Sequence, residues 1–387
     1  MTVSEIHIFT GNHGKYLLAA DCIRVVENFF KSQGCVVSLG SRLSPSRPNI
    51  IIDEFTNAYV LKYIEDFKGA NPSAIFFVVL TEFFTDRLLV QTLNSRRDLC
   101  GVAVSSWGRL LLKFFRKDLA RFRCGEVLTA LLLLPFFPLG VFKNILEICV
   151  SRSIRSLRAQ AYFLLRRMGI ERVSRHINGW FLLHPEISRN CPNAIREKSI
   201  GTIYPTISKS SMEELTKKGD FHLGISFSGE LTPYRSRVFS KFSKYARFYG
   251  VHHMLGVVRI KENLYKDQAT EDFFSFQPQK YRRQPFVSPI RVFRSLEIDR
   301  SVPVINCEYV DLHPISRLCL NYKGAQSIID LIDFYVHKDV HLKEYGKIIE
   351  QYNSEVGSLN NETWSKFIAS LDGYSAIRAR DLVGRIE

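Results

Sequence analysis

The chain has 387 residues, of which 46% are hydrophobic and 24% charged, and its 53 Lys and Arg against 38 Asp and Glu leave a formal charge of +15. That length accommodates two or three domains, and the composition excludes disordered, collagen-like and disulfide-rich secreted chains. Eight cysteines, at 22, 35, 100, 124, 149, 191, 307 and 319, form no CxxC pair and no short Cys/His cluster, so they read as reduced thiols of a cytosolic protein. The opening Met1 to Ile8 has no basic stretch followed by an apolar one, which argues against secretion.

In chain order, Ile6 to Thr10 reads as a strand ending at the turn Gly11-Asn12-His13-Gly14, after which apolar residues from Leu17 to Phe29 recur at helical spacing. Cys35 to Leu39 predicts a second strand, Asn49 to Phe55 a third, and Ala74 to Glu82 a continuous apolar strand of the kind buried on both faces of a parallel sheet. Trp180 to Pro185 predicts a late strand, and Asn190 to Ser211 a loop-rich bridge. The grammar of strand, Gly turn and helix then restarts, with a strand at Phe221 to Gly229 and a helix at Pro233 to Tyr249. Further on come a strand at His252 to Val258, a helix at Ser288 to Leu296, a strand at Val302 to Ile305 and a helix at Ala325 to Tyr335. Strands alternating with helices predict an α/β protein of two Rossmann-like, doubly wound domains facing a cleft. The expected domains are 1–200, 201–340 and a helical tail over 341–387.

The first half also carries a helical basic and apolar insertion over 107–167. Twelve basic residues between Trp107 and Arg167 stand against three acidic ones, around the uncharged run Val127 to Phe142. This run is short of the roughly 20 apolar residues a spanning helix needs, and Pro135 and Pro138 interrupt it. Two readings stay open: a patch lying on an anionic membrane surface, or a buried helix pair joined at the Pro-Phe-Phe-Pro turn. Nucleic acid is a poorer partner, because no helix-turn-helix, RRM, KH or zinc-finger pattern accompanies the basic charge.

Ligands of doubly wound sheets lie beyond the carboxyl ends of the strands, where helix N-termini attract anions. His13 falls at such a place, either lining a cleft or as an exposed loop residue, and the Gly11 to Gly14 turn matches neither a dinucleotide fingerprint nor a P-loop. Gly229-Glu-Leu-Thr232-Pro233-Tyr-Arg235-Ser-Arg237 combines a glycine turn, a capping Thr, Pro at the first helical position and two guanidinium groups, the parts of a diphosphate cradle. Ser288-Pro289-Ile-Arg291-Val-Phe-Arg294 repeats the arrangement, with both arginines able to share one side of the helix. The alternative is a pair of capped surface helices with solvated arginines. His252, His253 and His313 lack partners at metal-ligand spacing and read as structural, and no metal site is expected.

These segments, with Val302-Pro-Val-Ile and Asp311-Leu-His-Pro-Ile, resemble the C-terminal half of bacterial glycosyltransferases with two Rossmann-like domains (the GT-B fold, of the family 1 and family 10 kind). Asn49 to Phe55, Leu80 to Thr85 and Leu183-His-Pro-Glu-Ile are similar to strand ends of the first half of such proteins. The chain departs from their E-x6-E signature: Glu297 lies in the helix, Glu308 eleven residues on, and Asp299-Arg300 replaces an expected glycine.

The resemblance implies a metal-independent enzyme, cytoplasmic and peripheral to the inner face of the membrane. It would move a hexosyl or related sugar from a nucleotide-diphosphate donor to a glycan or lipid-linked acceptor in cell-surface polysaccharide synthesis. The nucleotide-sugar is a substrate, and no cofactor is expected. Donor contacts would come from Gly229, Thr232, Arg235, Ser288, Arg291, Arg294 and Glu308, and the acceptor-side base would be Glu82 or His13. Glu82 reads equally as a structural carboxylate. The alternative function is a catalytically inactive, glycosyltransferase-like scaffold at the membrane surface.

Overall fold

The computed structural model describes residues 5–11, 17–53, 55, 58–81, 166, 169–217, 222–227, 233–248, 272–278, 287–306 and 313–383. Among the described residues it is an α/β protein with a six-stranded sheet of order β2-β1-β3-β4-β5-β6 and a four-stranded sheet of order β10-β9-β8-β7. The pairs β3·β4, β4·β5, β7·β8, β8·β9 and β9·β10 are all parallel, an arrangement compatible with Rossmann-like architecture.

The strands are β1 Glu5–Phe9, β2 Val36–Gly40, β3 Asn49–Ile51, β4 Phe76–Leu80, β5 Gly179–Leu182 and β6 Ser199–Thr202, then β7 His222–Ser226, β8 Asp272–Pro278, β9 Val302–Asn306 and β10 Leu320–Asn321. The helices are α1 Leu17–Ser32, α2 Ala58–Ala70, α3 Asn193–Glu197, α4 Lys209–Lys217, α5 Pro233–Phe248, α6 Pro289–Glu297, α7 Ala325–Val336 and α8 Lys338–Val383. The apolar runs expected to be strands at β1 to β5, β7 and β9 form them, and the helices expected at α1, α5, α6 and α7 are present. The bridge expected over 190–211 instead holds α3 and β6. The strand expected at His252 to Val258 and the insertion at 107–167, Arg166 apart, lie outside the described residues. Among the described residues no helix is long and apolar enough to cross a membrane.

The chain divides into two compact units: Met1–Leu39, Leu183–Glu186 and Ile200–Glu387 form one, and Gly40–Leu182 with Ile187–Ser199 the other. In the second of these, every residue of β4 is buried, as five consecutive apolar residues require when both faces of a strand are covered. Its Phe77 ring meets Phe181 of β5 at 6.0 Å, and Phe67 of α2 meets Phe76 at 6.2 Å. Asn49, fully buried at the start of β3, is satisfied locally: its Oδ1 accepts from Ser44 N at 2.7 Å and its Nδ2 donates to Ser44 O at 2.8 Å and to Arg47 O at 3.0 Å. That pairing removes the cost of burying an amide, about 1–3 kcal/mol for each group left unsatisfied.

In the first unit, α8 is the organising element. Tyr345, Ile349, Tyr352, Val356, Asn360, Thr363, Phe367 and Leu371 are all buried, and their spacing of three and four lays one continuous stripe along the helix. Polar side chains of α8, Asn360 and Thr363 from that stripe and Asn353 beside it, bond the backbone of residues 202–207. Asn360 accepts from Tyr204 N at 3.0 Å and donates to Tyr204 O at 2.9 Å, while Asn353 does the same for Ile207 at 3.0 and 2.8 Å. Thr363 donates to Thr202 O at 3.0 Å, and a Cβ on Gly201 would lie only 2.6 Å from the Thr363 hydroxyl, so glycine is needed at this close approach.

Candidate functional site

The four-stranded sheet positions most of the described site residues. β8, with sequence DFFSFQP, alternates between Phe276, inside an aromatic cluster with Phe239, Phe242 and Tyr322, and the polar Ser275 and Gln277, which are also buried. Burial of these polar groups is balanced by mutual bonding. Gln277 Nε2 donates to Ser275 Oγ at 2.7 Å, Ser295 Oγ lies 3.1 Å from Ser275 Oγ, and Ser295 donates to Arg291 O at 3.0 Å. A polar ladder therefore joins β8 to α6. At its carboxyl end, Arg291 Nη1 donates to Gln277 Oε1 at 3.3 Å.

Arg235 reaches the same end of β8 from the first turn of α5. Its Nε donates to Pro278 O at 3.0 Å, and its guanidinium stands 5.2 Å from the centre of the Phe227 ring, just past the carboxyl end of β7. The side chain is buried. Two arginines from different helices thus converge on the neighbouring residues Gln277 and Pro278, at the end of parallel strands where such sheets bind anions. Ser288 occupies the N-cap position of α6 with Pro289 at its first residue, as the sequence predicts, but its hydroxyl makes no capping bond; its carbonyl accepts from Arg291 N and Val292 N at 3.1 and 3.3 Å.

Arg294 departs from the expected group. One turn beyond Arg291, its Nη1 lies 3.0 Å from Asp21 Oδ2 of α1 and its Nε 3.6 Å from Asp299 Oδ1, with all three side chains buried. Desolvation pushes the Asp299 carboxyl up to about 6, which the Arg294 charge opposes and the Asp21 charge reinforces. Glu297 is also engaged structurally, binding the Ser208 amide and, at 3.0 Å, the Ser208 hydroxyl at the start of α4. Where the sequence departs from an expected glycine, Arg300 adopts φ 50°, the left-handed conformation a glycine would take, and Ser301 N closes the helix end on Ser295 O at 2.9 Å.

His13, Glu82, Gly229, Thr232 and Glu308 lie outside the described residues. Gln277 and Ser275 escape sequence reasoning because they sit inside a strand whose aromatic neighbours dominate its pattern; the alternation Phe-Ser-Phe-Gln was the available signal.

The two His-Pro segments, one from each half of the sequence, meet in the first unit. His184 and His313 are fully buried with ring centres 5.2 Å apart, and Tyr204 lies 4.9 Å from His313. Each Nδ1 accepts the backbone N–H two residues on, from Glu186 at 3.0 Å and Ile315 at 3.1 Å. Burial, reinforced by His184, holds His313 well below the usual imidazole range, so it is neutral at ordinary pH. Its place in the core agrees with the structural role the sequence suggests.

A scan against protein-family models gives no match, and a search of curated proteins finds no significant match.

Proposed function

We propose that the chain is a glycosyltransferase with two Rossmann-like domains facing a cleft, transferring a sugar from a nucleotide-diphosphate donor to a glycan or lipid-linked acceptor. The observation that carries the reading is the convergence of Arg235 and Arg291 on the carboxyl end of β8. In the proposed reaction, charge develops on the diphosphate as the glycosidic carbon leaves it. Fixed guanidinium groups at a strand end, with a helix N-terminus beside them, stabilise that charge without a metal ion. Arg291, bonded to a neutral amide and partly exposed, is the principal donor contact; Arg235 supports it, and Arg294 holds α6 in place through Asp21 and Asp299. Ser288 and the segments bearing Gly229, Thr232 and Glu308 adjoin the same ends of the chain's strands in sequence and complete the proposed donor pocket. The acceptor-side base is assigned to Glu82 or His13, and the basic region 107–167 to an anionic membrane surface.

Engagement of Arg294 and Glu297 in structural contacts favours a second reading, a glycosyltransferase-like scaffold that binds without turnover. Incubation with nucleotide-sugars and lipid-linked acceptors separates the two: the enzyme releases nucleoside diphosphate, whereas the scaffold binds donor or membrane and releases none. Failure to bind any nucleoside diphosphate would sink the transferase reading.

A further inference from the structure

A cluster of metal-ligand type lies at the junction of α7 and α8. Asp333, in the last turn of α7, His337, which caps that helix, and His341, in the first turn of α8, follow one another at four-residue spacing. His337 Nδ1 is 3.1 Å from Asp333 Oδ1, His341 Nε2 is 3.5 Å from Asp333 Oδ2, and one ligand atom from each of the three residues falls within 4.8 Å of the others. On an uninterrupted helix, positions eight apart are separated by about 12 Å along the axis. The break at His337, whose φ and ψ are −103° and 30°, accompanies the approach of the two outer side chains to one another.

One of the three ligands is held by the core. The His341 ring stacks on Phe334 at 4.8 Å with only 14° between the planes, and Phe334 in turn packs against Phe273 and Phe274 of β8 at 6.0 and 6.2 Å. Asp333 and His337 are exposed and His341 partly so, leaving room for solvent to complete a coordination shell. Two imidazoles and a carboxylate are the donor set that zinc and neighbouring divalent ions take, with three protein ligands and an open fourth position.

We propose that Asp333, His337 and His341 bind a divalent transition-metal ion of the zinc class, which clasps the end of α7 to the start of α8. The ion would sit where Asp333 meets His337 Nδ1 and His341 Nε2, drawing together three donors that already lie within 4.8 Å of one another. Without an ion, the His337 imidazole hydrogen-bonds Asp333 Oδ1 at 3.1 Å and His341 Nε2 faces Asp333 Oδ2 at 3.5 Å; if these contacts were the whole role of the cluster, no saturable metal binding would be seen.

The test is titration of the full chain, first freed of metals by chelator, with Zn2+ by calorimetry and with Co2+ by visible absorption. One ion per chain is expected, with ligand-field bands for Co2+ and a rise in melting temperature on adding Zn2+. His337→Ala and Asp333→Asn, both at exposed positions, should keep the fold and weaken binding at least about tenfold, since loss of a direct ligand costs no less than loss of its outer support. Equal binding by the variant Asp333→Asn/His337→Ala, or no saturable binding by the natural chain up to millimolar metal, would overturn the proposal.

Discussion

Arg291 and Arg294 lie one turn apart on α6, yet they occupy opposite electrostatic settings. Arg294 is buried between the carboxylates of Asp21 and Asp299, and removing it would leave two desolvated negative charges facing each other. Arg291 is partly exposed and meets a neutral amide, Gln277, at the carboxyl end of β8. One helix thus commits one guanidinium to a buried carboxylate pair and leaves another half-buried beside a neutral amide, where the proposed function places the donor diphosphate. Residue type and spacing do not distinguish the two arginines; their partners do.

The two arginines should differ most on substitution at Arg294. Breaking a buried ion pair by removing one partner costs about 3–5 kcal/mol, so Arg294→Ala should lower unfolding stability by that order in denaturant titration, while Arg291→Ala should cost no more than about 1 kcal/mol. Equal losses in the two variants would remove the distinction.

Asp299 sharpens the same contrast through pH. Its folded value of about 6 lies above the ordinary 3.8, so the native state binds more protons between those values and this group lowers stability as pH rises from about 4 to 6. Over two pH units the effect is at most about 3 kcal/mol. Asp299→Asn should therefore gain relative to the natural chain as pH rises through that window, and a pH-independent difference between the two would contradict the assignment.

On binding, the order of the two arginines reverses. A charge-assisted contact contributes about 1.5–3 kcal/mol, so Arg291→Ala should weaken nucleoside diphosphate affinity by roughly tenfold to a hundredfold. The smallest effect is expected at Arg300. Glycine would relieve a left-handed backbone that costs an ordinary residue roughly 1–2 kcal/mol, but it would forfeit the half-exposed ion pair with Glu214, worth about 0–1 kcal/mol. Arg300→Gly should be stabilised by no more than about 2 kcal/mol in thermal unfolding.

Local patterns made much of this architecture legible. The uninterrupted apolar run at Phe76 to Leu80 announces a strand covered on both faces, and Pro289 marks the first turn of α6. β6 was illegible because Ser-Ile-Gly-Thr carries little strand signal, and its Gly201 answers to Thr363, far along the chain on α8. Arg294 shows the same limit: its sequence context predicts a place beside Arg291, whereas Asp21, 273 residues away, determines where it goes. Tertiary partners at such separations leave no periodicity to read. The Asp333-His337-His341 spacing was visible in the sequence, but only the break between α7 and α8 turns it into a cluster.

The most direct test of the account is the melting temperature of the natural chain and of Arg291→Ala with UDP, GDP, ADP or CMP, in the presence of chelator. Because a ligand that binds only the native state must stabilise it, the account predicts a metal-independent rise with one nucleoside diphosphate that is largely lost in Arg291→Ala. No rise with any nucleotide, or an equal rise in the variant, would contradict the assignment of a donor site at the carboxyl end of β8.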